Sequence, residues 1–297
     1  HLIVDVAGWL PAGPTFTGVT PTRLYDSRTT GAGTKIGQGA VIDVDILGQG
    51  GVPASGVSAV ALNITGVGAT TRTFVTVFPS GTSRPATSSL NTQAGVTGAN
   101  MVVAQIGSNG KVRLYNDTGN LHLLVDVLGY FSDGPGYTPV YPQRVVDTRN
   151  SSPIGPDSTT VFQLSGIGGV PLTGVGAVAF NLTATRQTAR TWLTVFPTGS
   201  SMPLSSDLNP EPKVVATNLV IGKLGPDGSI SLFNKNGTVD VIIDVVGWFP
   251  ANVTTVDDDA TVTEDDGPTA IDVLANDTNH DGGPLTIDFI DPPTNGT

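Results

Sequence analysis

A chain of 297 residues with 38% hydrophobic content can bury two or three ordinary cores, since domains usually run about 100 to 150 residues. Cysteine is absent, which excludes disulfide frameworks, thiolate metal sites and cysteine nucleophiles. The formal net charge of -11 is concentrated at one end: residues 251–297 hold eleven acids and no Lys or Arg, leaving 14 acids against 14 basic residues over 1–250, so nothing in the balance points to nucleic acid.

The chain begins HLIVDVAGWL, and the same signature returns as HLLVDVLGYF at His122–Phe131 and as DVIIDVVGWF at Asp240–Phe249. Between these marks the sequence repeats itself. VPASGVSAVALNITG from Val52 matches VPLTGVGAVAFNLTA from Val170, and TFVTVFPSG from Thr73 matches TWLTVFPTG from Thr191, both at an offset of 118. VTPTRLYDSR from Val19 matches VYPQRVVDTR from Val140 at an offset of 121, and His1 maps onto His122 at that same offset. Residues 1–12 therefore read as the last strand of a preceding repeat, 13–132 and 133–250 as two complete repeats, and 251–297 as the start of a different, acidic module.

In the first repeat, short runs rich in Val, Leu, Ile and Thr predict strands near 16–19, 23–27, 40–47, 57–65, 73–79, 100–106, 111–116 and 121–131. Eight short strands separated by Gly, Pro, Ser and Asn predict an all-β fold of tandem, jelly-roll-like β-sandwich units. Asn109-Gly110 and Asp227-Gly228 predict hairpin turns. Alternation puts Val60, Leu62 and Ile64 on the core face and Ala59, Ala61 and Asn63 on the other, as do Val178, Phe180 and Leu182 against Ala177, Ala179 and Asn181. The run His122–Phe131 is apolar on both faces except for Asp126, as a central strand covered on both sides would be. No apolar run approaches the roughly twenty residues of a membrane span.

Polar residues recurring in both repeats are the candidate functional set: Arg23/Arg144, Asp26/Asp147, Arg28/Arg149, Asn63/Asn181, Asn91/Asn209, Asn100/Asn218, Asn116/Asn234 and Asp126/Asp244. One reading makes Arg23, Asp26, Arg28, Asn63, Arg144, Asp147, Arg149 and Asn181 a polar ligand-binding groove. The other makes these side chains scaffold, with Asp126 and Asp244 paired to an Arg, because an unpaired buried charge costs several kcal/mol. Catalysis is disfavoured. Only two carboxylate positions recur in register within the repeats, and His122 becomes Asp240, so no Ser/His/Asp triad or three-His zinc site can be assembled twice. Recurrent aromatics include Phe74/Trp192, Phe78/Phe196, Tyr115/Phe233, Tyr130/Trp248 and Phe131/Phe249. Most read as core, whereas Trp9, Tyr130 and Trp248, each just after a Gly at a repeat's exit, read as rings stapling one module to the next.

GVPASGVSAVALNIT, TRLYDSR and HLLVDVLGYF resemble a repeat of large secreted and cell-surface proteins of actinobacteria. The resemblance covers residues 1–250 and implies an extracellular, wall-associated, non-catalytic structural or adhesion segment, or alternatively a glycan- or cell-wall-binding accessory module of a cell-wall hydrolase. Its implied partners are cell-wall polysaccharide or other surface glycan and neighbouring repeats of the same chain, and it implies no cofactor for residues 1–250. VDDDATVTEDDGPTAIDVLANDTNHDGGPLTI, from Val256, resembles the start of a bacterial cadherin-like, immunoglobulin-type adhesin repeat. That second resemblance implies calcium, with Asp257, Asp258, Glu264, Asp277 and Asp281 as ligands, although Asn279 and Gly283 stand where the pattern usually has acids.

Overall fold

The computed structural model describes residues 5, 6, 8–10, 15–30, 33–261, 270–279, 285 and 287. The chain divides into two compact units, His1–Pro250 and Ala251–Thr297. In the first, the first repeat forms β1 (Phe16–Asp26), β2 (Val41–Asp45), β3 (Val57–Val67), β4 (Thr73–Pro79), β5 (Leu90–Thr92), β6 (Gly98–Gln105), β7 (Lys111–Asn116) and β8 (His122–Ser132). The strands build two antiparallel sheets in the orders β1-β8-β3-β6 and β2-β7-β4-β5. Apart from the adjacent pair β4 and β5, consecutive strands go to opposite sheets, and the two strand orders are those of an eight-stranded jelly roll.

The second repeat copies it with β9 (Thr138–Asp147), β10 (Ser158–Gln163), β11 (Val175–Thr185), β12 (Leu193–Pro197), β13 (Ala216–Lys223), β14 (Ser229–Asn234) and β15 (Asp240–Pro250). Its sheets are β13-β11-β15-β9 and β10-β14-β12, with a single Leu193–Leu208 bridge where the first repeat has β5. The expected all-β tandem sandwich is what forms.

The predicted strands near 16–19 and 23–27 are one strand, β1, broken by irregularities at Gly18/Thr22 and Arg23/Tyr25. The expected Asn-Gly and Asp-Gly turns are present, with Gly110 and Gly228 at φ 78° and 77°. They do not join paired strands. Gly110 links β6 to β7 and Gly228 links β13 to β14, and in each case the two strands lie in opposite sheets. The reason is long-range: β6 pairs with β3, and β7 with β2 and β4, ladders that outweigh the local hairpin preference. Residues 5, 6 and 8–10 are in no strand and are exposed, Trp9 included, so the strand expected over 1–12 is not formed among the described residues. An extended segment needs a ladder partner to become a strand, and this one has none there.

Each sandwich closes its own core. Val60, Leu62, Ile64, Val75, Leu114, Leu123, Val125 and Val127 fill the first, and Val178, Phe180, Leu182, Ile230, Leu232, Ile243 and Val245 the second. A third cluster joins the repeats: Ala59, Ala61, Val103 and Phe131 from the first meet Tyr137, Ala179, Val246 and Phe249 from the second. The small row on the outer face of β3 and β11 therefore lets two sheets approach.

The stapling rings are Phe131 and Phe249, not Tyr130 and Trp248, which pack against their own cores. A β-bulge explains the difference. Ala61 pairs with Gly129 while Leu62 pairs with Val127, so Leu128 is the extra residue, and from there the alternation of faces reverses. Ala179/Gly247 and Phe180/Val245 repeat the bulge at Val246. Phe16 lies over Gly129 and Tyr137 over Gly247, and a Cβ on either glycine would collide with the ring. Ring centroids 4.4 Å apart for Phe131–Tyr137 and 4.9 Å for Tyr137–Phe249 carry the aromatic contact across the repeat boundary.

In the second unit, β16 (Val253–Thr254) pairs with β17 (Thr278–Asn279). The Val256 N–H donates to Asp277 Oδ1 at 2.8 Å, and Asn276 Nδ2 donates to the Asp257 carbonyl at 3.3 Å. Glu264 and Asp281 lie outside the described residues. Among those described, no three metal-ligating side chains converge, and Asp257, Asp258 and Asp277 are not gathered into one site.

Candidate functional site: an Arg–Asp–Asn row

Three strands bring the candidate polar residues together. Asp126 of β8 sits in register with Arg23 of β1 on one side and Asn63 of β3 on the other. Asp244 of β15 sits likewise between Arg144 of β9 and Asn181 of β11. The row occupies the outer face of the sheet, the face that carries Ala59 and Ala61. The side chains predicted as candidates from their recurrence are thus neighbours in space.

Their bonding is internal. Arg23 pairs with Asp126 through Nε, through Nη2 at 3.1 Å, and with Asp26 through Nη1 at 3.0 Å. Arg28 forks onto Asp26 at 2.9 and 2.7 Å, and its backbone N–H also donates to that carboxylate. In the second repeat, Arg144 forks onto Asp244 at 2.9 and 3.2 Å, and Arg149 donates through Nε to Asp147 at 2.8 Å. Arg28 holds the Asp26 carboxyl well below the usual carboxylate range, and Arg149 lowers the Asp147 carboxyl. Each Asp-x-Arg pair also closes a turn, since Asp147 Oδ1 accepts from the Arg149 N–H at the start of a 3-10 turn, Thr148–Asn150.

The two copies differ in what covers them. Asp244 has a side-chain exposure of 0%, against 20% for Asp126. Across the repeat boundary, the Ser88 N–H donates to Asp244 Oδ2 at 3.3 Å, Asn91 Nδ2 donates to Thr217 Oγ1 at 2.5 Å, and Asn100 Oδ1 accepts from the Leu219 N–H at 3.2 Å. Tyr141 Oη donates to the Ser83 carbonyl as well. The loop between β4 and β5, with β5 and β6, thus lies on the second repeat's row. Burial pushes the Asp244 carboxyl upward, and the hydrogen bonds from Arg144 oppose the shift.

The remaining recurrent Asn residues serve loops. Asn116 Nδ2 donates to the carbonyls of Ile36, Gly37 and Gly119, and its Oδ1 accepts from Thr73; Asn234 does the same with Ile154, Gly155, Gly237 and Thr191. Asn100 and Asn218 each hold a carbonyl eleven residues away, Ser89 and Asp207. Buried clamps of this kind satisfy backbone groups that loops would otherwise leave unpaired. Ser27, whose hydroxyl lies 3.1 Å from His122 Nδ1, is fully buried and holds the Leu123 N–H at 2.9 Å, a structural contact rather than an accessible nucleophile.

No protein-family model matches the chain, and no curated protein does. Among solved structures, a tandem pair of carbohydrate-binding modules, CBM22-1-CBM22-2 of Paenibacillus barcinonensis Xyn10C, aligns at 9% identity over 78% of this chain and 98% of that one, with a TM-score of 0.22. A structure of Sulfolobus turreted icosahedral virus aligns at 12% identity over 80% of this chain and 60% of that one, also at 0.22. At such scores neither likeness bears on function, and the fold assignment rests on the strand order itself.

Proposed function

We propose that residues 15–250 are a non-catalytic structural and adhesion segment of a secreted or cell-surface bacterial protein, two jelly rolls fused into one stiff body. The observation that carries this reading is that the recurrent charged groups are spent on one another: Arg23, Asp26, Arg28 and Asp126 in one repeat, and Arg144, Asp147, Arg149 and Asp244 in the other. The shared layer around Phe131, Tyr137 and Phe249 supports stiffness, since two domains tied only by a linker would move independently. The rival reading of the Arg–Asp–Asn row as a ligand groove has less support, because a ligand would have to displace forked ion pairs and, in the second repeat, the Ser88 loop.

The test is coupling. Urea unfolding of the full chain, followed separately by tryptophan emission and by backbone circular dichroism, should give one shared transition for residues 15–250. Two separate transitions, with chymotrypsin cutting freely after Tyr137 under native conditions, would refute a stiff body. For the acidic module we propose calcium binding through Asp257, Asp258, Glu264, Asp277 and Asp281, supported by the density of carboxylates without basic neighbours.

A further inference from the structure

The outer faces of the two smaller sheets are built on the same pattern and differ in one consistent way. In the first repeat that face carries charge. Arg113 forks onto Asp43 at 2.9 and 2.8 Å, Lys111 meets Asp45 at 2.9 Å, and the Arg84 guanidinium sits 4.2 Å from the centre of the Tyr115 ring. The register of β2 with β7 pairs Val41 with Tyr115, Asp43 with Arg113 and Asp45 with Lys111. In the second repeat the corresponding pairs of β10 with β14 are Thr159 with Phe233, Val161 with Ser231 and Gln163 with Ser229. Arg84 corresponds to Met202 at the repeat offset of 118. All five charged positions have become neutral together.

Ser229, Ser231 and Phe233 are buried, and what that face exposes is Thr159, Val161 and Gln163 beside a ring. Trp192, which stands where the first repeat has Phe74, is half-buried and packs against Phe233 with centroids 5.1 Å apart. Val161 is 54% exposed, Met202 43% and Leu204 104%, while Thr159 and Gln163 are also exposed. The flanking charges are already neutralised by each other, Lys235 with Asp157 at 2.7 Å and Arg190 with Glu211 at 3.1 Å.

We infer that this face of the second repeat, centred on Trp192, binds a neutral polysaccharide. A pyranose ring has an apolar face of C–H groups that stacks on an aromatic ring, and equatorial hydroxyls that can meet Thr159 and the Gln163 Oε1, the Gln163 Nε2 being held by Ser165 and Asp227. An anionic polymer would find no unpaired cation among the residues named here, and a charged peptide no complementary field. The first repeat is the internal control: Arg84 caps Tyr115, the counterpart of the Phe233 ring beside Trp192, and the sheet face is laced with ion pairs, so a sugar would have to break them. The inference goes beyond the structural role proposed above and does not depend on it.

The experiment is a titration of the full chain with chitohexaose, cellohexaose and maltohexaose, followed by tryptophan emission and by isothermal calorimetry. At least one sugar should give a saturable signal in both. Trp192→Ala should abolish it, and Met202→Arg, which installs at an exposed position the residue that caps the first repeat, should weaken it on the order of tenfold. Arg84→Met and Phe74→Ala should leave affinity for the sugar unchanged. Met202→Arg keeps the test valid if Trp192→Ala fails to fold. Absence of saturation with all three sugars at millimolar concentration, binding that survives Met202→Arg and Trp192→Ala alike, or concentration-dependent self-association removed by the same substitutions would overturn the assignment, the last by making the face a protein interface.

Discussion

Asp126 and Asp244 are the same residue of the repeat in two environments, so substituting each by Asn measures what the repeat boundary adds. Asp244 is buried, forked by Arg144 and bonded to the Ser88 N–H of the other repeat. Asn in its place keeps one acceptor and turns an NH₂ group toward a guanidinium, leaving Arg144 only the more distant Asp147, at 3.7 Å, as counter-charge. Breaking a buried pair from one side costs about 3–5 kcal/mol. The Arg144 side chain remains 27% exposed, so water takes up part of the stranded charge and about 2–3 kcal/mol is the expected loss. Asp126→Asn breaks a pair whose members are 20% and 41% exposed, and its cost should be that of a surface pair, about 0.2–1 kcal/mol. Urea denaturation of both variants at pH 7 and equal ionic strength reads the difference as a shift in midpoint at unchanged slope. Equal losses, or a larger one for Asp126→Asn, would mean that the covering loop does not set the dielectric at Asp244.

Phe131→Ala should cost about 3–5 kcal/mol by removing a ring that is 1% exposed, and should split the unfolding of the two repeats, whereas Tyr130→Ala should destabilise the first repeat without splitting it; differential scanning calorimetry distinguishes one endotherm from two. Acid should destabilise the chain. Asp26, Asp43 and Asp147 are each held below the ordinary carboxylate value by an Arg, so their contribution is complete above about pH 4 and is lost as pH falls through the lowered folded values. Melting temperature against pH should accordingly fall on acidification, and Arg28→Ala with Arg149→Ala should flatten that slope. The full chain should gain melting temperature in millimolar calcium while residues 15–250 do not; a gain surviving Asp277→Ala with Asp281→Ala would discard those ligands.

Seven of the eight strands of the first repeat are readable, β8 as a run apolar on both faces and the others as short β-branched and apolar runs set off by turn residues, with alternation assigning the faces of β3. β5 is not, since Leu90-Asn91-Thr92 is too short to show a period and is fixed by β4 alone. The bulges at Leu128 and Val246 are equally silent in the sequence, because an inserted residue in an apolar run changes no composition, yet they decide that Phe131 and not Tyr130 reaches the other repeat. The Arg–Asp pairing was legible from the cost of leaving a carboxylate unpaired in an apolar strand, which demands a cation nearby and leaves few to choose from. What the sequence does not carry is the inequality of the two Asp residues. Their local motifs, VDVLG and IDVVG, are nearly alike, and the difference lies in which one the Ser88 loop covers. Once two similar sandwiches pack by one face, identical motifs acquire different dielectric surroundings. The charge loss on the second repeat's other face follows the same logic of division. With the Arg–Asp–Asn faces committed to ion pairs and, in the second repeat, to the Ser88 loop, the smaller sheets are where the two copies are free to differ, and the second copy has exchanged ion pairs for neutral groups beside the half-buried Trp192.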